Sequence, residues 1–124
     1  QRQHADMAAF NSRRADKLAR RRLRRAAAAM KKHDRELFYD ELLKALWGYL
    51  GDKLKMPTSE LMRDNIRQKL DARDIPQQVT DRLIRLIDEA EFAKYSSAGA
   101  SRDMGTDYKE AIASINELEK SFKN

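Results

Sequence analysis

The sequence has no cysteine, and its 124 residues include only two prolines and four glycines. Without cysteine the chain can form no disulfide, no thiolate nucleophile and no cysteine-ligated zinc site. The scarcity of proline and glycine excludes a turn-rich β fold and a low-complexity linker. The longest run of apolar residues covers only 26–30, whereas a membrane-spanning helix needs about 20. The remaining class is a helical domain.

The residues that are abundant favour the same class. Hydrophobic residues make up 41% and charged residues 37% of the chain, and alanine, leucine, arginine, lysine and glutamate are good helix formers. A chain of this length has room for one domain. The chain begins at Gln1, and we expect it to be a fragment of a longer protein.

Apolar residues at helical spacing predict an all-α fold, a single bundle of about five helices. Helices two to five are also compatible with stacking in repeat-like hairpins. We expect a flexible juxtamembrane segment over 1–11 and a helical domain over 12–124, comprising a basic helix (12–32) and a bundle core (35–122). Within that core, the spacing predicts helices over about 35–55, 59–72, 77–95 and 103–122.

Residues that typically cap or terminate helices indicate where these helices begin and end. Asp34 is a suitable N-cap for the second helix, and Gly51 and Pro57 fit its termination. Thr58 or Ser59 is expected to cap the third helix, with Met62 facing inward. Residues 96–102, which are rich in serine, alanine and glycine, are predicted to form a flexible loop.

The second helix carries two apolar stripes, which predicts a central position in the bundle. Trp47 could instead belong to a peptide-binding surface, but core packing is the favoured interpretation. The residues expected in the core are Phe38, Leu42, Leu46, Trp47, Leu50, Ile66, Leu83, Ile87, Ile112 and Ile115.

No constellation in the sequence predicts catalysis, a metal site or a cofactor. His4 and His33 are far apart, and Met30 stands where a Glu-x-x-His metal motif would need glutamate before His33. Three acids, Asp88, Glu89 and Glu91, could divide acid and base roles, but they fit better as a solvated helix face with Lys94 as ion-pair partner. We therefore expect a protein that is not an enzyme and binds no cofactor.

The basic helix is the strongest functional signal. Residues 1–35 carry 12 Lys/Arg against 3 Asp/Glu, whereas residues 36–124 carry 14 against 17. Such a helix can bind nucleic-acid phosphates or anionic lipid. Residues 11–37 lack the aromatic side chains on which single-stranded bases stack, so the lipid interpretation is favoured and no specific nucleic acid is expected. The residues predicted to face the membrane or a polyanion are Arg13, Arg14, Lys17, Arg20, Arg21, Arg24 and Arg25.

Three stretches of the sequence resemble the C-terminal cytoplasmic region of BatD proteins of the Bacteroides aerotolerance group. They are FYDELLKALWGYLGDKLKMPTSELMRDNIRQKL (38–70), LIDEAEFAKYS (86–96) and YKEAI from Tyr108. The segments ALWGYLGDKL and EFAKY are the most specific, and the resemblance covers about residues 12–122. Met62 departs from the threonine expected at that position.

The resemblance implies a non-catalytic protein–protein interaction module on the cytoplasmic side of the inner membrane, within a single-pass membrane protein. It also implies protein partners among von Willebrand A-domain membrane proteins or MoxR-type AAA+ ATPases. A nucleic-acid-binding domain that uses the arginine-rich helix is the alternative.

Overall fold

The computed structural model describes residues 2–97 and 102–123, and within them the side chains of residues 15–97 and 102–122. This part of the chain forms five α-helices and no strand, which confirms the all-α class. A short 3-10 turn, Thr58–Glu60, precedes the third α-helix. The helices are α1 (Arg2–Lys31), α2 (Arg35–Leu54), α3 (Arg63–Ala72), α4 (Gln77–Tyr95) and α5 (Met104–Lys123).

The first helix is longer than its amphipathic pattern indicated. It begins at Arg2 rather than at Ser12, so the predicted start of this helix is wrong, whereas the flexible juxtamembrane character of 1–11 stays a prediction. Arginine, glutamine, alanine and methionine have high intrinsic helix propensity, and they extend a helix even where no apolar stripe is present. The predicted loop over 96–102 lies partly outside the described residues, which stop at Ser97 and resume at Arg102.

Three helix ends share one geometry, in which a residue other than glycine adopts a left-handed conformation. His33, Lys55 and Asp74 have φ values of 57°, 56° and 59° and follow α1, α2 and α3. After each of them, the next backbone N–H donates to a carbonyl five residues earlier, as in the Schellman motif. Gly51 therefore does not end α2, as its sequence position had suggested, but lies inside that helix.

The structure has the predicted N-cap residue at the start of α2, but not at the start of α3. The Asp34 side chain accepts a hydrogen bond from the Leu37 backbone N–H at 3.2 Å, which satisfies a free donor of the first turn. The third helix begins only at Arg63, and its N-cap position is Met62, without a side-chain hydrogen bond. Thr58 belongs to the 3-10 turn instead, and Met62 is exposed rather than inward.

Helix α2 is the centre of the bundle, as its two apolar stripes predicted. It packs against α1, α4 and α5, while α3 packs against α4. Helices α2 and α5 each contact both α1 and α4, whereas α1 and α4 are not a closely packed pair.

Most of the expected core is buried, with two exceptions. Trp47 and Ile112 are only partly buried and pack against the edge of the core, because other side chains of α2 and α5 fill its centre. Tyr39 and Tyr49, by contrast, are fully buried. The remaining expected core residues are all buried: Phe38, Leu42, Leu46, Leu50, Ile66, Leu83, Ile87 and Ile115.

Candidate anion-binding surface

The outer face of α1 carries a row of cationic side chains, here called the basic stripe. At 100° per residue they occupy an arc of about 120°, and Lys17 and Lys31 are about 21 Å apart along the helix. All are exposed, and none forms an ion pair with another side chain that the structure describes. The stripe consists of Lys17, Arg21, Arg24, Arg25 and Lys31 on α1, together with Lys32 in the turn directly after the helix.

The alanine face of α1 is what turns these cations outward. Ala15, Ala19, Ala26 and Ala29 are all buried, together with Leu23. Small side chains let α1 pack closely along α2, which is its main contact in the bundle. The opposite face of the same helix must then point into solvent.

The stripe differs in membership from the predicted set. Lys17, Arg21, Arg24 and Arg25 belong to it as expected, whereas the side chains of Arg13 and Arg14 lie outside the described residues. Sequence reasoning left out Lys31 and Lys32, although both continue the helical spacing from Lys17. That periodicity was the signal that could have found them.

Arg20, which was also predicted to face the membrane or a polyanion, is exposed but hydrogen-bonded to neighbouring side chains, so it is not counted in the basic stripe. Its Nε donates to Asp16 at 3.2 Å, and its Nη2 donates to the Asn116 side chain on α5 at 2.8 Å. A side chain fixed in this way joins α1 to α5. The physical reason is its position at the border of the stripe, where α5 comes within reach.

Arg22 also turns toward the bundle and covers Gly48 of α2. A Cβ atom at position 48 would collide with the Arg22 guanidinium, so this glycine leaves the room that the guanidinium occupies. Asp52 is the nearest acid, at 3.9 Å from the same nitrogen. Neither Arg20 nor Arg22 is therefore available as a free cation.

The acids of α4 form ion pairs with arginines from other elements. Arg63 contacts both Asp88 and Glu91, and Glu89 lies 2.5 Å from Arg102. Lys94, the expected partner of these acids, instead pairs with Asp40 of α2 at 2.7 Å. This arrangement joins α4 to α3, to the start of α5 and to α2.

Two buried polar networks were not predicted, because their members are distant in sequence. In the first, the Tyr49 hydroxyl donates to Glu119, and Lys53 Nζ lies 2.8 Å from the same carboxylate. In the second, Tyr39 donates to Asp107 at 2.6 Å, and Arg102 donates to the other carboxylate oxygen at 2.7 Å. Both networks fasten α5 to α2.

These networks keep both tyrosines protonated. Burial raises the pKa of Tyr49, and its hydrogen bond to Glu119 raises it further. Burial and the hydrogen bond to Asp107 raise the pKa of Tyr39 in the same way. The hydrogen bond to Asp107 also raises the pKa of Arg102. These groups hold the bundle together, whereas the cations of the basic stripe remain free to bind a ligand.

The raised tyrosine pKa values predict a loss of stability at alkaline pH. Above about pH 10 an unfolded chain releases its tyrosine protons, whereas folded Tyr39 and Tyr49 retain theirs. Rising pH therefore favours the unfolded state, by up to about 1.4 kcal/mol per pH unit and group. We expect the difference in unfolding free energy between wild type and Tyr49→Phe to narrow above that pH, as measured by urea denaturation. A constant difference up to about pH 11 would contradict this.

Within the described part of the chain, no helix is long and apolar enough to cross a membrane, and no cluster of three histidine, aspartate or glutamate side chains could hold a metal ion. The chain matches no protein-family model, no curated protein and no solved structure.

Proposed function

We propose that this chain is a non-catalytic interaction domain that the basic stripe holds against an anionic membrane surface. The observation that carries the proposal is the row of unpaired, exposed cations on one face of α1. Each basic residue near anionic lipid contributes on the order of 1 kcal/mol. Ala28 lies within the arc of the stripe and is too small to insert among acyl chains, so binding is driven by charge and is reversible.

The resemblance to BatD proteins supports a more specific setting. We propose that the domain belongs to a single-pass membrane protein and lies on the cytoplasmic side of the inner membrane. There it binds other proteins, with von Willebrand A-domain membrane proteins and MoxR-type AAA+ ATPases as the candidates that the resemblance suggests. Binding to the membrane through α1 would leave α4, which does not pack closely against α1, accessible to such a partner.

Nucleic acid is the alternative ligand, because phosphates attract the same cations. The absence of aromatic side chains between the cations of the stripe argues against a groove for single-stranded nucleic acid. Affinity at low salt does not separate the two, since both are charge-driven. The comparison has to be made at physiological salt.

The test is binding to vesicles of phosphatidylglycerol and phosphatidylcholine, measured by co-sedimentation. Reversing two stripe cations, Arg21→Glu with Arg24→Glu, should weaken binding to anionic vesicles at least about 30-fold, since each lost cation costs about 1 kcal/mol. Neutral phosphatidylcholine vesicles should bind neither protein. Both substituted side chains are exposed, so the thermal midpoint should be unchanged.

A matched control distinguishes an effect of the basic stripe on vesicle binding from an effect of the net charge of the protein. Lys69→Glu with Lys109→Glu changes the net charge equally, but at exposed positions on α3 and α5. This control should retain most of the vesicle affinity. Equal losses for the two double variants would contradict a specific stripe. A submicromolar, sequence-dependent complex with duplex DNA or RNA at physiological salt would favour the nucleic-acid alternative.

A further inference from the structure

The exposed large apolar side chains of the described residues are grouped around the C-terminal half of α4. Phe92 is 50% and Tyr95 is 75% exposed, and both lie in the last turns of that helix. Leu37 is 42% and Met62 is 56% exposed. Single exposed apolar residues are normal on a protein surface, whereas a group of them marks an interaction site. We call these four residues the α4 patch.

Contacts of neighbouring side chains link the other two residues to the C-terminal half of α4. Leu37 lines a surface groove together with Lys94, whose Nζ lies 4.9 Å from the centre of the Tyr95 ring. Met62 directly precedes Arg63, which contacts Asp88 and Glu91 one turn before the exposed aromatics. The patch thus extends from the start of α2, across the end of α4, to the start of α3.

Carboxylates dominate the polar groups around the α4 patch. The groove beside Leu37 is lined by three acids and by Lys94, and Lys44 of α2 also pairs with Asp40, at 3.4 Å. Two more acids flank Phe92 on α4 and share one cation, Arg63. The five acids are Asp34, Glu36, Asp40, Asp88 and Glu91. An apolar surface with an excess of negative charge is complementary to a cationic amphipathic segment.

We propose that the α4 patch binds a cationic amphipathic helix of a partner protein. The apolar side of such a helix would cover Phe92 and Tyr95, and its lysines or arginines would face the surrounding carboxylates, as in other helix-in-groove complexes. The basic stripe of a second copy fits less well, because Ala28 is too small to anchor on the exposed aromatics. The inference deepens the proposed function by naming a surface and a class of partner, and it rests on that proposal only for the protein-binding role.

The experiment is an NMR titration of the 124-residue chain with two short helical peptides. One peptide is built of leucine and lysine, and in the other glutamate replaces lysine. The lysine peptide should shift the amide signals of residues 34–40, 62–63 and 88–95 and leave those of α1 in place. The glutamate peptide should leave the α4 patch unchanged. Equal shifts of the α4 patch residues by both peptides, or shifts by the lysine peptide spread over α1, would overturn the proposal.

Variants of the patch test which side chains bind the peptide. Phe92→Ser with Tyr95→Ser should weaken binding of the lysine peptide at least about tenfold, since exposed aromatics are typical anchors. Gln78→Ser, an exposed change at the other end of the same helix, should alter it less than about twofold. Unchanged affinity in the double variant would refute the assignment. Self-association that the double variant abolishes, seen by analytical ultracentrifugation, would make the patch an interface between copies instead.

Different variants test peptide binding at the α4 patch and vesicle binding at the basic stripe, so the two proposals can fail independently. Arg21→Glu with Arg24→Glu changes α1 alone and should leave the peptide-induced shifts at α4 in place. Phe92→Ser with Tyr95→Ser should leave vesicle binding intact. Loss of peptide binding in the α4 variant with normal vesicle binding supports the docking surface, whereas failure of vesicle binding alone contradicts only the membrane proposal.

Discussion

Replacing Glu119 with alanine is expected to destabilise the bundle by about 3–5 kcal/mol, a large part of the total stability of a small domain. The Glu119 side chain is 15% exposed and the Lys53 side chain 5%, and their charged atoms are 2.8 Å apart. Without the carboxylate, Lys53 would lose the negative charge that compensates its burial, and the buried Tyr49 hydroxyl would lose its acceptor. Urea denaturation monitored by circular dichroism measures the change.

Two control variants test whether the stability loss in Glu119→Ala comes from leaving buried polar groups without a partner. Glu117→Ala removes an acid of the same helix from a half-exposed ion pair with Arg82 and should cost at most about 1 kcal/mol. The triple variant Tyr49→Phe, Lys53→Met and Glu119→Leu removes every polar group of the network at once. It should recover most of the lost stability, because an apolar replacement of a buried pair is often neutral. A loss below about 1 kcal/mol in Glu119→Ala would show that solvent screens the network.

Replacing Asp107 with alanine is the second large effect, with an expected cost of about 3 kcal/mol. Asp107 is 1% exposed and accepts hydrogen bonds from both Tyr39 and Arg102. Arg102 remains partly exposed and keeps its contact with Glu89, so the penalty falls at the lower end of the range for buried pairs. The thermal midpoint and the unfolding free energy should both fall.

A local measurement, amide hydrogen exchange at the start of α5, is specific to the network of Tyr39, Asp107 and Arg102. Asp107 lies in the first turn of α5, so its loss should increase amide hydrogen exchange there more than in α1 or α3. Asp107→Asn keeps an acceptor for Tyr39 but removes the charge facing Arg102, and we expect roughly half the loss. A uniform increase in exchange over all helices would contradict a role in fastening the start of α5.

The helices themselves follow from local sequence patterns. Apolar residues recur at helical spacing over most of the chain, and the predicted helix over 77–95 agrees with α4 (Gln77–Tyr95). The Asp34 cap could also be recognised, because a capping side chain acts on a donor three residues away. The central position of α2 followed from its wide apolar face.

Local patterns were less reliable where a tertiary contact decides the outcome. Gly51 lies inside α2, where the Leu61 side chain approaches it, and the helix continues to Leu54. Trp47 was expected in the core because its apolar face is wide, but tyrosines with hydrogen-bond partners on α5 occupy the centre instead. Periodicity describes which side of a helix is apolar, but it does not show how deeply each residue of that side is buried.

The features of the candidate surface also fall into those that the sequence predicted and those that only the tertiary structure shows. The sequence by itself determined the all-α class, the concentration of positive charge before residue 36 and the outward direction of Lys17, Arg21, Arg24 and Arg25, because these depend on composition and on the 3.6-residue period. Only the tertiary structure decided that Arg20 is held by Asn116, that buried tyrosines pair with acids of α5, and that the exposed apolar residues meet around α4. The physical reason is that these contacts join residues far apart in the chain, and helix packing alone brings them within bonding distance.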